Sequence, residues 1–175
     1  GWYYASVVFN YLMEPLWVFS KTGNEGPGVS PPPVDTLKQV SAGMWHSCAV
    51  RTDGGAGCWG SDDGGRILQP AGTYQEVSVG SWHSCGLKAD GTIYCWGDND
   101  GNRGSPVPAG DFSQISVADW HGCGVRKSDG FIDCWGSNDG GRTDDKVGPF
   151  KQVSSRDWHN CAVRTDGTLY CWGDN

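Results

Sequence analysis

The chain has 175 residues, with 28 glycines, 10 tryptophans and only 37% hydrophobic residues, a turn-rich, aromatic composition that excludes a helical bundle. Its net charge of −7 excludes a nucleic-acid surface, which needs a basic stripe. Eight regularly spaced cysteines point away from the cytosol, where thiols are kept reduced, and towards an extracellular or cell-surface location. The sequence opens at Gly1 without a basic leader region, so any targeting peptide is expected to be absent or already removed.

Residues 1–20, GWYYASVVFNYLMEPLWVFS, are apolar and aromatic. Asn10, Glu14 and Pro15 interrupt them, which disfavours a membrane span, since a spanning helix needs about 20 apolar residues with few charges. A strand or short helix packed on its own domain is one expectation. The other is an assembly arm, in which Trp2, Tyr3, Tyr4, Phe9, Tyr11, Trp17 and Phe19 dock onto a neighbouring copy and bury surface that one chain cannot cover. Residues 21–36 form a Gly/Pro-rich linker in which Pro31, Pro32 and Pro33 favour an extended polyproline conformation. Ser30 with those three prolines resembles the Ser-Pro-Pro-Pro element of extensin-type wall glycoproteins, which would make it an O-glycosylated segment. No Asn-x-Ser/Thr sequon occurs, so N-glycosylation is not expected.

From Leu37 the chain repeats itself over residues 37–73, 74–111, 112–149 and 150–175, the last copy being shorter. A period of this size marks stacked supersecondary units, a propeller or a solenoid. Each copy opens with Leu or an aromatic followed by x-Gln/Glu-Val/Ile-Ser, which reads as a first strand. A Trp-His-x-Cys strand and a Cys-Trp-Gly strand follow, and an acidic glycine loop comes next. All four histidines and all eight cysteines lie within these units.

The segment Trp158 to Gly173 reads as a β-hairpin around Thr165-Asp166-Gly167, with glycine supplying the left-handed residue of a three-residue loop. Pairing Arg164 with Thr168 sets Cys161 opposite Cys171, at the separation of a disulfide. Cys123 and Cys134 are one residue further apart, and the extra residue falls in the loop Lys127 to Gly130, so these also meet. The predicted cystines are Cys48–Cys58, Cys85–Cys95, Cys123–Cys134 and Cys161–Cys171. One hairpin face carries Trp158, Ala162, Tyr170 and Trp172, the other His159, Cys161, Val163, Leu169 and Cys171. With neither face polar, the sheet must be sandwiched between neighbours. In the first copy Gly55, Ala56 and Gly57 underfill the hairpin, a gap into which residues 1–20 could pack.

The recurring Gln-Val-Ser-Ala-Gly-x-x-His-x-Cys-Ala-Val-Arg-Thr-Asp-Gly followed by Cys-Trp-Gly-Asp-Asn resembles the repeat of the regulator of chromosome condensation superfamily over residues 37–175. That resemblance implies all-β, four-stranded blades in a propeller, usually seven to a ring. The paired cysteines are similar to extracellular members such as the Crinkly-type plant receptor ectodomains. The chain departs from the family in having four repeats, a shorter last one, and Gly-Gly/Asn-Arg where a Gly-Gln-Leu-Gly blade ending is usual. A partial ring, or one completed by neighbouring chains, is therefore expected. The family also implies a buried, hydrogen-bonded role for His46, His83, His121 and His159, with Trp45, Trp82, Trp120 and Trp158 beside them in the repeat core.

Three other chemistries fit the residues. His159, Cys161 and Cys171 share one face and could hold zinc if the thiols were free. Loops such as Asp98-Asn99-Asp100-Gly101 look like calcium loops but lack the EF-hand spacing and terminal Glu. Trp-x-x-Cys resembles an acceptor context for C-linked mannose. No cofactor or metal is expected. Every histidine occupies one equivalent position, so no unique nucleophile–base constellation exists and catalysis is not expected. The functional expectation is a subunit of a self-assembling surface filament with copies of itself as partners. The alternative is an extracellular binding module recognising a protein or glycan.

Overall fold

Residues 5–9, 15–19, 37–68 and 71–174 are described by a computed structural model. Strands β1 (Ala5–Phe9) and β2 (Pro15–Phe19) form an antiparallel hairpin in which Phe9 pairs with Pro15 and Val7 with Trp17. Trp2, Tyr3, Tyr4 and Tyr11, and the segment Ser30 to Pro33, lie outside the described residues. Among the described residues no helix is long and apolar enough to cross a membrane.

Each repeat then forms one antiparallel meander. The first sheet contains β3 (Leu37–Ala42), β4 (His46–Arg51) and β5 (Ala56–Gly60). The second contains β6 (Tyr74–Val79), β7 (His83–Lys88) and β8 (Ile93–Gly97). The third contains β9 (Phe112–Val117), β10 (His121–Arg126) and β11 (Ile132–Gly136). The fourth contains β12 (Phe150–Arg156), β13 (His159–Arg164) and β14 (Leu169–Gly173). The register is the one expected from the hairpin loop: Val163 opposes Leu169, Ala162 opposes Tyr170 and Cys161 opposes Cys171. The longer third hairpin likewise sets Cys123 opposite Cys134. All four cystines form. Free thiols are absent among the described residues, which removes the thiolates that a zinc site would need.

The sheets have three strands, correcting the expectation of four. After its third strand the chain enters the acidic loop, where two consecutive residues adopt left-handed backbone, and then a stretch holding Pro70, Pro106, Pro108 or Pro149. Proline removes ladder donors and left-handed residues break the pleat, so an outer strand cannot propagate. In the third repeat a single bridge, Ile132 with Lys146, marks where it would run.

The first strand of every repeat carries a bulge just after its opening residue. In regular pleating the opening aromatic and the valine three positions later would point to opposite faces. The extra residue turns both to one face, so Tyr74 joins Val77, and Phe150 joins Val153, in the core. The cores lie between sheets. Cys48, Val50 and Cys58 of the first repeat pack on Tyr74, Val77, Val79 and Trp96 of the second. Cys85 and Leu87 pack on Phe112, Ile115 and Trp135, and Cys123, Val125 and Ile132 pack on Phe150, Val153, Ala162 and Trp172. Ala56 is buried against the second repeat in this way, so the small residues of the first hairpin leave no gap on that side.

Side chains of each first strand also clasp the backbone of the next. Gln39 donates to the Val77 carbonyl at 2.9 Å and accepts from its N–H at 3.0 Å. Gln114 does the same to Val153, at 3.0 and 2.8 Å. Ser41, Ser78 and Ser116 accept from the N–H groups of Val79, Val117 and Ser155 at 3.1, 2.9 and 2.8 Å.

Candidate binding face

The turn between the first and second strands and the acidic loop after the third emerge on the same rim. Their backbones are joined in every repeat, where Ser61, Asp98, Ser137 and Asp174 donate to the carbonyls of Trp45, Trp82, Trp120 and Trp158. In the acidic loop two successive residues sit in the left-handed region: Gly64 and Gly65 (φ 73° and 74°), Gly101 and Asn102 (71° and 61°), Gly140 and Gly141 (70° and 71°). Only Gly, or Asn at a small cost, tolerates this. The consequence is that the next residue, an arginine, turns inward. Arg66, Arg103 and Arg142 are only 3%, 8% and 1% exposed.

These arginines stack on the tryptophans of the following repeat. The Arg66 guanidinium lies 4.8 Å from the Trp82 ring centre, Arg103 lies 4.2 Å from Trp120, and Arg142 lies 4.8 Å from Trp158. Such contacts gain strength when desolvated. Carboxylates and loop oxygens hold the charges: Asp98 accepts from Arg103 at 2.7 Å, and Arg142 donates to the Ser137 carbonyl and hydroxyl at 2.7 and 2.8 Å. Asp98 also caps its own loop, accepting from the Asp100 N–H at 2.8 Å. Its lone pairs therefore serve the turn and the arginine. Among the described residues no cluster of His, Cys, Asp or Glu could hold a metal ion.

The arginines were not singled out by sequence reasoning, although their recurrence in three repeats at a constant place after each tryptophan was visible. The tryptophans correct the sequence reading differently. They precede the second strand and form the rim, and Trp45 and Trp158 at its two ends are 47% and 48% exposed. Beside them is a hollow of ≈ 240 Å³ lined by the turns of all four repeats, including Met44, Ser81, Asp119, Arg156 and Asp157. Ser81 donates to the Asp119 carboxylate from both its hydroxyl and its N–H, at 2.5 and 3.1 Å.

The histidines lie beneath this rim, between sheets. His46 Nε2 is 2.7 Å from Ser84 Oγ, and His121 Nε2 is 2.7 Å from Asn160 Oδ1. Burial lowers the pKa of His46 and His121 to about 4 and that of His83 to about 3. All three are neutral spacers at neutral pH, while His159 is half-buried on the open fourth sheet. Gly122 stands where Ser84 and Asn160 stand, and His83 has no hydrogen-bond partner among the described residues. A Cβ added at Gly122 would run into the Trp135 indole. Gly122→Ala is expected to lower stability by about 1–3 kcal/mol through overpacking; a denaturant midpoint equal to that of the parent would refute this.

The sequence profile described as the regulator of chromosome condensation (RCC1) repeat matches residues 74–103 and 150–175. Parts of the second and fourth repeats thus match that profile. No curated protein sequence matches the chain. Among solved structures, the chain is similar to the ectodomain of the Physcomitrella patens receptor kinase CR4, with 27% identity and a TM-score of 0.71 over 91% of this chain and 47% of that one. It is also similar to the CRINKLY WD40 ectodomain of the Arabidopsis thaliana receptor kinase ACR4, with 25% identity and a TM-score of 0.68 over 79% of this chain and 51% of that one. Yeast Prp20p, at 18% identity and a TM-score of 0.65 over 78% of this chain and 43% of that one, shares the fold alone. The chain spans about half the length of the two receptor ectodomains.

Proposed function

We propose that the chain is a non-catalytic extracellular binding module that captures a protein ligand on its tryptophan–arginine rim. The observation that carries this reading is the likeness to two plant receptor-kinase ectodomains. Four cystines support the location, because such bonds persist outside the reducing cytosol. The filament reading has less support, since none of these three relatives is described as a filament subunit.

The rim has the chemistry of a recognition surface. Met44 and Trp45 are 69% and 47% exposed beside the hollow, and aromatic and methionine side chains are the usual anchors of protein interfaces. Asp62, Asp63, Asp100 and Asp139 are exposed on the loops of the same rim. Complementarity then favours a cationic peptide surface over a neutral glycan. The buried arginines keep the platform rigid, so little ordering cost is expected on binding.

The test is to pan the disulfide-intact chain against a random-peptide display library, with a glycan array in parallel. Selection of Arg- and Lys-bearing peptides, lost at least tenfold in Trp45→Ala and in Asp119→Ala, is expected. Enrichment indifferent to both substitutions, or signal on glycans alone, would overturn the proposal.

A further inference from the structure

Seven Asp-Gly dipeptides occur in the chain. Four lie in the hairpin loops, at Asp53, Asp90, Asp129 and Asp166, and three in the rim loops, at Asp63, Asp100 and Asp139. All seven aspartates are exposed. Glycine has no Cβ to shield its nitrogen, so such a pair can close on itself without an enzyme or an oxidant. The glycine nitrogen attacks Cγ of the aspartic acid, a C–N bond forms, and the acid hydroxyl leaves as water with the amide proton. Water then opens the five-membered imide at either carbonyl. One opening restores aspartate; the other leaves isoaspartate, whose main chain runs through the side-chain carboxyl carbon. In the hairpin loops both reacting groups are tied. Gly54, Gly91, Gly130 and Gly167 donate to the carbonyls of Arg51, Lys88, Arg126 and Arg164. Asp53, Asp90, Asp129 and Asp166 accept from the N–H groups of Gly55, Thr92, Phe131 and Thr168 at 2.8, 2.9, 3.0 and 2.8 Å, the usual aspartate turn. Hydrogen bonds from these four residues lower the carboxyl pKa values, which keeps the groups in the ionised, unreactive form.

The rim loops differ among themselves at one position. Ser61 donates to Asp63 at 3.0 Å, and Ser137 donates to Asp139 at 3.1 Å. Arg142 also donates to Asp139, at 3.0 Å. In the second repeat Asp98 stands where those serines stand, and a carboxylate can only accept. Asp98 takes the Asp100 N–H at 2.8 Å and the Arg103 guanidinium at 2.7 Å. Among the described residues the Asp100 carboxylate is then left without a hydrogen bond or an ion pair. We propose that Asp100–Gly101 is a site of spontaneous isoaspartate formation, selected by the fold from the seven chemically alike pairs. Isoaspartate lengthens the main chain by one carbon just before Gly101 and Asn102, the two left-handed residues that turn Arg103 inward. The modification therefore acts on the loop that sets Arg103 against Trp82 and Trp120. The reaction needs no ligand and stands whether or not the rim captures a peptide.

The test is to age the disulfide-intact chain in mildly acidic buffer below its melting temperature, beside a reduced, urea-unfolded sample. Isoaspartate is then quantified at each site by chromatographic separation and electron-transfer fragmentation of the proteolytic peptides. A tied pair must open before it reacts, and one net hydrogen bond slows that about tenfold. Asp100 should therefore lead each of the other sites by about tenfold in the folded chain, and the lead should vanish in the unfolded one. Asp98→Ser restores the missing donor and should bring Asp100 down to the level of Asp139. Ser61→Ala removes the donor to Asp63 and should raise that site towards Asp100. If every site speeds up in Asp98→Ser, that variant is unfolded and Ser61→Ala decides. A folded chain in which Asp100 has no lead overturns the proposal, as does the same lead in the unfolded sample. Unchanged reactivity at Asp63 in Ser61→Ala overturns it as well.

Discussion

Reduction of the four cystines is expected to unfold the repeat body at ambient temperature. Each bond closes a loop of 10 or 11 residues, which in loop-closure terms contributes about 2.7 kcal/mol. Together they contribute roughly 10 kcal/mol, comparable with the whole 5–15 kcal/mol stability of an ordinary domain. The first three bonds also lie in the inter-sheet cores, so separated thiols there would disturb packing as well. Removing one pair, Cys123→Ser with Cys134→Ser, should lower the melting temperature by about 5–10 °C. Cys171 is exposed while Cys48, Cys85 and Cys123 are fully buried, so the fourth cystine is expected to react first with a reductant. Circular dichroism melts with and without reductant check the first expectation, and mass mapping of alkylated cysteines checks the order. A melt indifferent to reductant would remove the cystines from the stability argument.

What was legible in the sequence follows from which signals are local. The hairpin register could be read because the Thr-Asp-Gly turn and the cysteine spacing constrain the same few residues. The alternation of apolar positions on both hairpin faces likewise forecast stacking, and Cys123, Val125 and Ile132 do lie against Phe150, Val153, Ala162 and Trp172. The bulge after Tyr74 or Phe150 was not legible, because it shows only as an aromatic and a valine at an odd spacing. The fourth strand was carried over from the family pattern, although the Gly-Gly-Arg and proline content of the loops contradicted it. Arg66, Arg103 and Arg142 escaped notice because a charged residue beside aspartates reads as surface. Only two successive left-handed residues, a backbone property, show that the guanidinium turns inward.

Glu76→Gln is expected to stabilise the chain above neutral pH and to remove one limb of its pH dependence. Glu76 stands where the other repeats carry Gln39, Gln114 and Gln152. Gln39 and Gln114 each donate to and accept from one backbone unit of the next sheet. A carboxylate can only accept, as Glu76 does from the Ile115 N–H at 3.3 Å; the protonated acid can also donate, so it can act as the amide does. Burial pushes the Glu76 pKa from 4.5 up to about 7, against the opposing effect of that N–H. Because the folded value is the higher, the stabilisation is fully present below the unfolded pKa and is lost as pH rises through about 7. That shift corresponds to roughly 3 kcal/mol. The buried histidines act on the other side. Their folded pKa values near 3 to 4 lie below the ordinary 6.5, so their contribution is lost as pH falls from 6.5 towards those values. The parent chain should therefore be most stable in mildly acidic solution, and Glu76→Gln should keep the acid limb while flattening the other. Urea unfolding of both proteins between pH ~5 and ~8 reads this directly; equal slopes above pH ~6 would show that the second and third sheets are not joined through a proton on Glu76.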